Sequence, residues 1–534
     1  MDRQRDVQQL IDEAVAGSLS RRQILRRAMV LGLSLPAISA ILAACGDDED
    51  DPTATSGTGA EGTATEGEAT EEGEATEEGE ATETMAGEAT EEATEEGEAT
   101  EEATEEGEAT EEGEATGTAD GGGEMMMDNP PAVANADAAS AFSGTQLVYY
   151  GDGVGIGSQL DEALAGKFTE ETGVEIEVIP RPESATEAYA QLQRLFQGQS
   201  ADMDVTMIDV IWPGAFAQHL ADLSEPFADV IDQYYSTIVE NNTIDGKLVG
   251  IPWFGDFGIL YYRTDLLETY GFDGPPETWD DLQEMAQTII DGEIGANPNF
   301  TGFVFQGNAY EGLTCDALEW VASSGGGVFV EDGEVTIDNE AAIEMLNKAR
   351  GWVGTIAPAG VTTYQEEDAR NVFQGGNCAF MRNWPYAYAQ ATADDSPIQG
   401  MFEVAPLPAQ EGSDHVGTVG GWQLAVNTYS ENQEAAIEFV RYMTSAEVQT
   451  WRAVVASFVP AMPAVSEDPA VLESLPFLAP MADLIRVTRP STAAGELYNE
   501  VSAAIYQNVN EVLNGTDAAD SVPAMAEEIE FILG

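Results

Sequence analysis

The chain has 534 residues and carries 19 Lys and Arg against 98 Asp and Glu, a formal charge of −79. A surface so short of cations cannot displace the counterions of a nucleic acid, which excludes that class of partner. The charge is uneven: residues 1–45 hold six Arg and four acids, residues 46–140 hold 33 acids and no base, and the remainder holds 13 bases and 61 acids.

The first zone reads as an address. Ser20-Arg21-Arg22-Gln23-Ile24-Leu25-Arg26 leads into an uncharged, apolar run from Ala28 to Ala44, the pattern of a basic n-region followed by an h-region. The paired arginines suit a twin-arginine signal. A retained amphipathic helix and an uncleaved span are the alternatives, the apolar run being at the short limit for crossing a bilayer. Leu42-Ala43-Ala44-Cys45 resembles a bacterial lipobox. That resemblance implies a signal peptide over 1–45, with Cys45 as the first mature residue, lipidated and tethered outside the cytoplasmic membrane.

The second zone, 46–141, collapses to Glu, Ala, Thr and Gly, with units such as Gly67-Glu68-Ala69-Thr70-Glu71-Glu72. It has too few apolar groups to bury a core, so a disordered acidic linker is expected. A flexible chain of that length spans roughly 55 Å, and unbalanced carboxylates extend it further. An acidic tail for a cationic partner is the alternative.

The third zone, 142–534, exceeds the size at which one core keeps growing, so two lobes are expected. Gln146 to Tyr150 reads as a strand. Ser158 to Thr172 reads as a helix, with Leu160, Leu164 and Phe168 on one face, a Ser158/Asp161 capping box and Gly173 as the stop. A strand over 174–179, a helix over 187–197 and a strand over 204–209 follow. Thr278-Trp279-Asp280-Asp281 opens a further helix, and 302–306 is a strand. The alternation predicts an α/β fold with mostly parallel sheets. Asp209 ends a strand, where such sheets bind ligands, and a helix N-cap is its competing role.

Catalytic patterns are scarce. His219 and His415 lie far apart with no nucleophile motif beside them, and no G-x-S-x-G elbow is present. Gly151-Asp152-Gly153-Val154-Gly155 lacks both the dinucleotide fingerprint and the Walker lysine. Cys315 and Cys378 are a possible disulfide in an exported chain. No metal and no cofactor are expected.

Large rings beside special backbone are abundant: Pro252-Trp253-Phe254-Gly255-Asp256, Arg382-Asn383-Trp384-Pro385-Tyr386 and Gly420-Gly421-Trp422. An indole offers an apolar face to the C–H side of a pyranose, while Asp and Arg serve its hydroxyls. For any one tryptophan, core packing is the competing role. These segments, in order with Met207-Ile208-Asp209, Pro275-Pro276-Glu277-Thr278-Trp279, Tyr310-Glu311-Gly312-Leu313-Thr314-Cys315, Ala405-Pro406-Leu407-Pro408 and Arg489-Pro490, resemble the trehalose/maltose-binding proteins of ABC importers. Those belong to the family 1 extracellular solute-binding proteins, and the likeness covers essentially all of 145–534.

The resemblance implies a two-lobed periplasmic-binding-protein-like fold with a hinge and an interlobe ligand cleft. Lobe one would take about 145–253 and 395–452, lobe two about 254–394 and 453–534. It places a disaccharide among Asp209, Phe254, Asp256, Trp384, Gly421, Trp422 and Arg489. Phe254 departs from the Tyr usual in relatives, which removes a hydroxyl. The loop after the first strand lacks their acidic residue, leaving Asp152 and Gln159 as substitutes. Closure around the sugar would present a monomeric receptor to ABC permease subunits with their cytoplasmic ATPase. An exported glycoside hydrolase using Asp209 and Asp256 is the rival reading.

Overall fold

The computed structural model describes residues 129–331, 333–481 and 484–534. The expected signal peptide with Cys45, and the linker as far as residue 128, lie outside the described residues. Residues 129–141, which composition assigns to the linker, are bonded to the first lobe. Tyr442 donates to the Pro131 carbonyl at 2.8 Å, Val133 N–H to Glu171 at 2.8 Å and the Asn135 amide to Glu438 at 2.6 Å. The acid density drops just there, and Val133 and Ala139 supply apolar groups to bury.

Strand β1 (Gln146–Gly151), helix α1 (Gly157–Thr172), β2 (Glu175–Pro180), α2 (Ala185–Gln197) and β3 (Val205–Asp209) open the fold, with β1 parallel to both β2 and β3. β4 (Ile251–Phe257) runs through Gly258 directly into β5 (Ile259–Arg263), the first crossing between lobes. The second lobe then takes α3 (Trp279–Glu293), β6 (Thr301–Val304), α4 (Glu311–Ala322), α5 (Glu366–Gln374), β7 (Cys378–Asn383) and β8 (Phe402–Ala405). β9 (Val416–Val426) returns to the first sheet, followed by α6 (Gln433–Met443), α7 (Ala446–Ala456), β10 (Val459–Pro460) and β11 (Ile485–Val487). The last helices, α8 (Tyr498–Leu513) and α9 (Ala518–Leu533), pack on each other, and α8 packs on α4.

The first sheet has the order β10-β4-β9-β3-β1-β2, with β11 on β9, and the second β8-β5-β7-β6. Both are mixed, where mostly parallel sheets were expected. β9 is antiparallel to both β3 and β4, because it enters from the other lobe in the opposite sense. Strand pairing also puts Phe402–Ala405, from the stretch expected in lobe one, in the second sheet. Val459–Pro460 and Ile485–Val487, expected in lobe two, pair with the first.

Local signals act as chemistry dictates. Leu160, Leu164 and Phe168 are fully buried and α1 ends at Gly173 with φ +74°. The Ser158/Asp161 capping box does not form: α1 starts at Gly157, and Asp161 is buried with its Oδ2 accepting the Asp152 N–H at 2.8 Å. At α3 the expected box is complete, Thr278 and Asp281 bonding each other's backbone N–H at 3.0 Å.

Trp253, Trp279, Trp320 and Trp352 are core residues, Trp253 donating to the Met443 carbonyl at 3.2 Å. Cys315 and Cys378 are free and buried, not bridged. Cys315 sits in α4 facing the cleft, whereas Cys378 opens β7 and gives its thiol to the Phe380 carbonyl.

The crossing is anchored from the second lobe. Fully buried Arg382 of β7 holds Glu319 of α4 at 2.6 and 2.8 Å, and Glu319 also accepts the Thr418 N–H of β9 at 3.0 Å. A Cβ on Gly258 would fall 1.9 Å from Glu319 Oε1, so only glycine lets the crossing strand approach this pair.

Candidate functional site

The register of β9 assembles the first wall. Trp422 lies opposite Asp209 of β3 on one side and Phe254 of β4 on the other, and Gly420 lies opposite Asp256. Residues directly paired across antiparallel strands share a face, so Asp209, Trp422 and Phe254 form one row and Asp256 the next. Gly421 has φ +125°, and a Cβ there would meet the Phe254 carbonyl at 2.7 Å, so the strand reaches this row only with glycine. The indole of Trp422 meets Trp212 edge-on at 5.3 Å, and the Arg181 guanidinium lies 4.1 Å from its centroid.

The second wall comes from the other lobe. Trp384 follows β7, with Arg382 over its ring at 3.9 Å and its indole N–H donating to Glu366 at 3.3 Å. Glu366 in turn accepts Tyr310 at 2.6 Å. Tyr386, Glu311, Gly312 and Cys315 complete this side. The space between the walls, open mouth included, is about 640 Å³.

Arg489 closes the end of the cleft. Its Nη2 is 2.7 Å from Asp209 Oδ1 and its Nη1 is 2.8 Å from Glu311 Oε1. Glu311 also accepts Ser502 at 2.7 Å and the Tyr498 hydroxyl, while its N–H donates to Thr186 of α2 at 3.0 Å. The Asp209 carboxylate therefore pairs with a guanidinium and accepts the Ile211 N–H; it is not a helix cap. Burial raises the Glu311 carboxyl against the pull of Arg489.

Asp256 stands well above the usual carboxylate range, through burial and the nearby charge of Asp152. All seven residues singled out from the sequence as ligand contacts line this one cleft. So does Asp152, while Gln159 is exposed on α1.

Sequence reasoning did not single out Arg181, Glu311, Glu366 or Phe458. For Arg181 a signal existed: it follows the carboxyl end of β2, the same sheet edge that flags Asp209. Among the described residues no group of His, Cys, Asp and Glu could hold a metal ion. His219 bonds Tyr429 at 2.7 Å and His415 bonds the Leu407 carbonyl at 2.8 Å, both outside the cleft. The arrangement offers stacking faces, hydroxyl partners and walls from two lobes.

Residues 150–450 match the family described as bacterial extracellular solute-binding protein. The chain is 47% identical over 386 residues to a probable ABC transporter-binding protein of Deinococcus radiodurans, covering 71% of this chain and 92% of that one. It is similar to maltose-bound MalE3 of T. maritima, at 38% identity and a TM-score of 0.68 over 72% of this chain and 99% of that one. The GacH receptor of Streptomyces glaucescens, solved unliganded and with acarbose, shares the fold at 24% identity and a TM-score of 0.64, over 73% and 98%.

Proposed function

The chain belongs to the bacterial extracellular solute-binding proteins, the ligand-capturing components of ABC importers, and from that premise we propose that it is a receptor for a disaccharide such as trehalose or maltose. Proteins of this family bind a solute and deliver it to permease subunits and are not enzymes, so the hydrolase reading has no support.

The observation that carries the proposal is the meeting of Trp384 from the second lobe and Trp422 from the first in one cleft that Asp209, Asp256 and Arg489 also line. Two stacking faces with carboxylate and guanidinium groups at their edges suit two pyranose rings. Maltose in the similar T. maritima protein supports the same class. Asp209 would accept sugar hydroxyls while Arg489 donates, Phe254 and Trp422 would form the floor, and Gly421 would let the backbone approach the sugar.

Sugar bound to one wall gains the contacts of the other only on closure, so affinity for the closed form drives the hinge. We assign the zones before residue 129 to export and tethering: a twin-arginine signal, lipidation at Cys45 and an acidic linker, holding a monomeric receptor on the outer face of the cytoplasmic membrane. Among the described residues no helix is long and apolar enough to cross a membrane.

Calorimetric titration of the mature chain with trehalose, maltose and a panel of α-linked disaccharides tests the reading. Saturable binding of at least one with the sugar recovered unchanged is expected; no binding across the panel overturns it. Metabolic labelling with a fatty acid, lost in Cys45→Ala, tests the tether.

A further inference from the structure

Beneath the floor of the cleft lies a buried cation. Arg452 of α7 is 1% exposed, and its Nε, Nη1 and Nη2 make no hydrogen bond among the described residues. Its guanidinium is boxed by rings instead, with Cζ 3.5 Å from the centroid of Trp253, 4.1 Å from Phe458 and 4.9 Å from Phe254. An arginine without hydrogen bonds is costly to bury, and cation–π contact offsets only part of that cost. What offsets the rest is nearby negative charge, from Asp161 of α1 and Asp152 after β1; Tyr149 of β1 and Asp256 of β4 are the other ionisable groups around it.

Two routes lead from this residue to the ligand. Phe254 and Phe458, two sides of the box that Arg452 fills, also line the cleft. Asp161 holds the Asp152 N–H, Asp152 pairs with Arg181 at 3.6 Å, and Arg181 lies over Trp422. We propose that Arg452 is a positioning residue of the cleft, a buried counter-charge that keeps the carboxylates of Asp152 and Asp161 paired in place and props the Phe254 and Phe458 floor, without touching the sugar.

This rests on the sugar-cleft reading, so the test has one arm that needs no sugar. Arg452→Met keeps the bulk and removes the charge. Removing the cation makes Asp161 harder to ionise, so the pH midpoint of intrinsic tryptophan fluorescence in the Met variant is expected to move upward from wild type. Superimposable titrations overturn the proposal whether or not any sugar binds.

With maltose as probe, the Met variant is expected to bind about tenfold more weakly at pH 7.5, with a smaller deficit at pH 5.5 as Asp161 takes up a proton. Arg452→Met/Asp161→Asn, which removes one charge of each sign, is expected to recover to within about threefold of wild type. Wild-type affinity and pH dependence in the Met variant overturn the proposal. Should the Met variant not fold, Arg452→Lys decides: near wild-type affinity and pH dependence support the charge role, and a tenfold loss with unchanged pH dependence overturns it.

Discussion

Nη1 of Arg489 lies 2.8 Å from Oε1 of Glu311, and the same guanidinium holds Asp209 at 2.7 Å. A glutamate at the N-terminus of a second-lobe helix thus fixes the arginine that pairs with the first lobe's carboxylate. Glu311→Ala strips a buried guanidinium of one partner and leaves Ser502 and Tyr498 without their acceptor, a change that typically costs about 3–5 kcal/mol. Glu311→Gln keeps the shape and one acceptor and is expected to cost less than half as much. Urea unfolding of both variants checks this order, and equal losses would mean that the pair contributes little beyond packing.

Trp384 and Trp422 make separable contributions. Truncating a central aromatic anchor costs about 2–4 kcal/mol of binding, so Trp384→Ala and Trp422→Ala are each expected to weaken maltose binding by at least about thirtyfold. Their stabilities should differ. Trp384 is half-buried, whereas Trp422 is buried and packed edge-on against Trp212, so Trp422→Ala lowers the melting temperature more. Calorimetry and thermal denaturation on the same samples measure both.

These contacts explain what the sequence could and could not disclose. Asp209, Asp256, Trp384, Gly421 and Trp422 sit in short stretches where a ring or an acid adjoins glycine, proline or a strand end, and such stretches are readable locally. Glu311 reads as an ordinary first-turn acid, because the groups that bury it, Arg489, Tyr498 and Ser502, come from 178 to 191 residues further on. Arg452 reads as a charged position on an amphipathic helix; nothing in its neighbours shows the aromatic box built by β4 and Phe458. The mixed sheets were hidden for the same reason, since local alternation reports helices and strands but not the sense in which a returning strand enters.

Stability should depend on pH through Asp161. Burial pushes its carboxyl up to about 7 against the nearby charge of Arg452, far above an unfolded value near 3.8. The native state then holds a proton that the unfolded chain releases, so this contribution is fully present below about pH 4 and is lost as pH rises through about 7. Asp161→Asn cannot titrate, and its side-chain oxygen can still accept the Asp152 N–H. The variant is expected to flatten the fall in stability between about pH 4 and 7, measured by urea unfolding at several pH values. An unchanged slope would mean that Asp161 is ionised throughout.

The two thiols of the receptor lobes should be inert in the native state. Cys315 and Cys378 are buried, and burial pushes both thiols up, Cys378 to about 12. Reaction needs the thiolate, so neither should react with a disulfide reagent at pH 8 on the timescale of minutes. Both should react at once in guanidinium without prior reduction, because no bridge joins them. Cys315 lines the cleft and Cys378 opens β7 of the second sheet, so slow labelling of Cys315 alone, suppressed by bound sugar, would report opening of the lobes. Native labelling of neither residue, with two thiols titrated on unfolding, is the expected result; labelling only after reduction would show that the pair is oxidised.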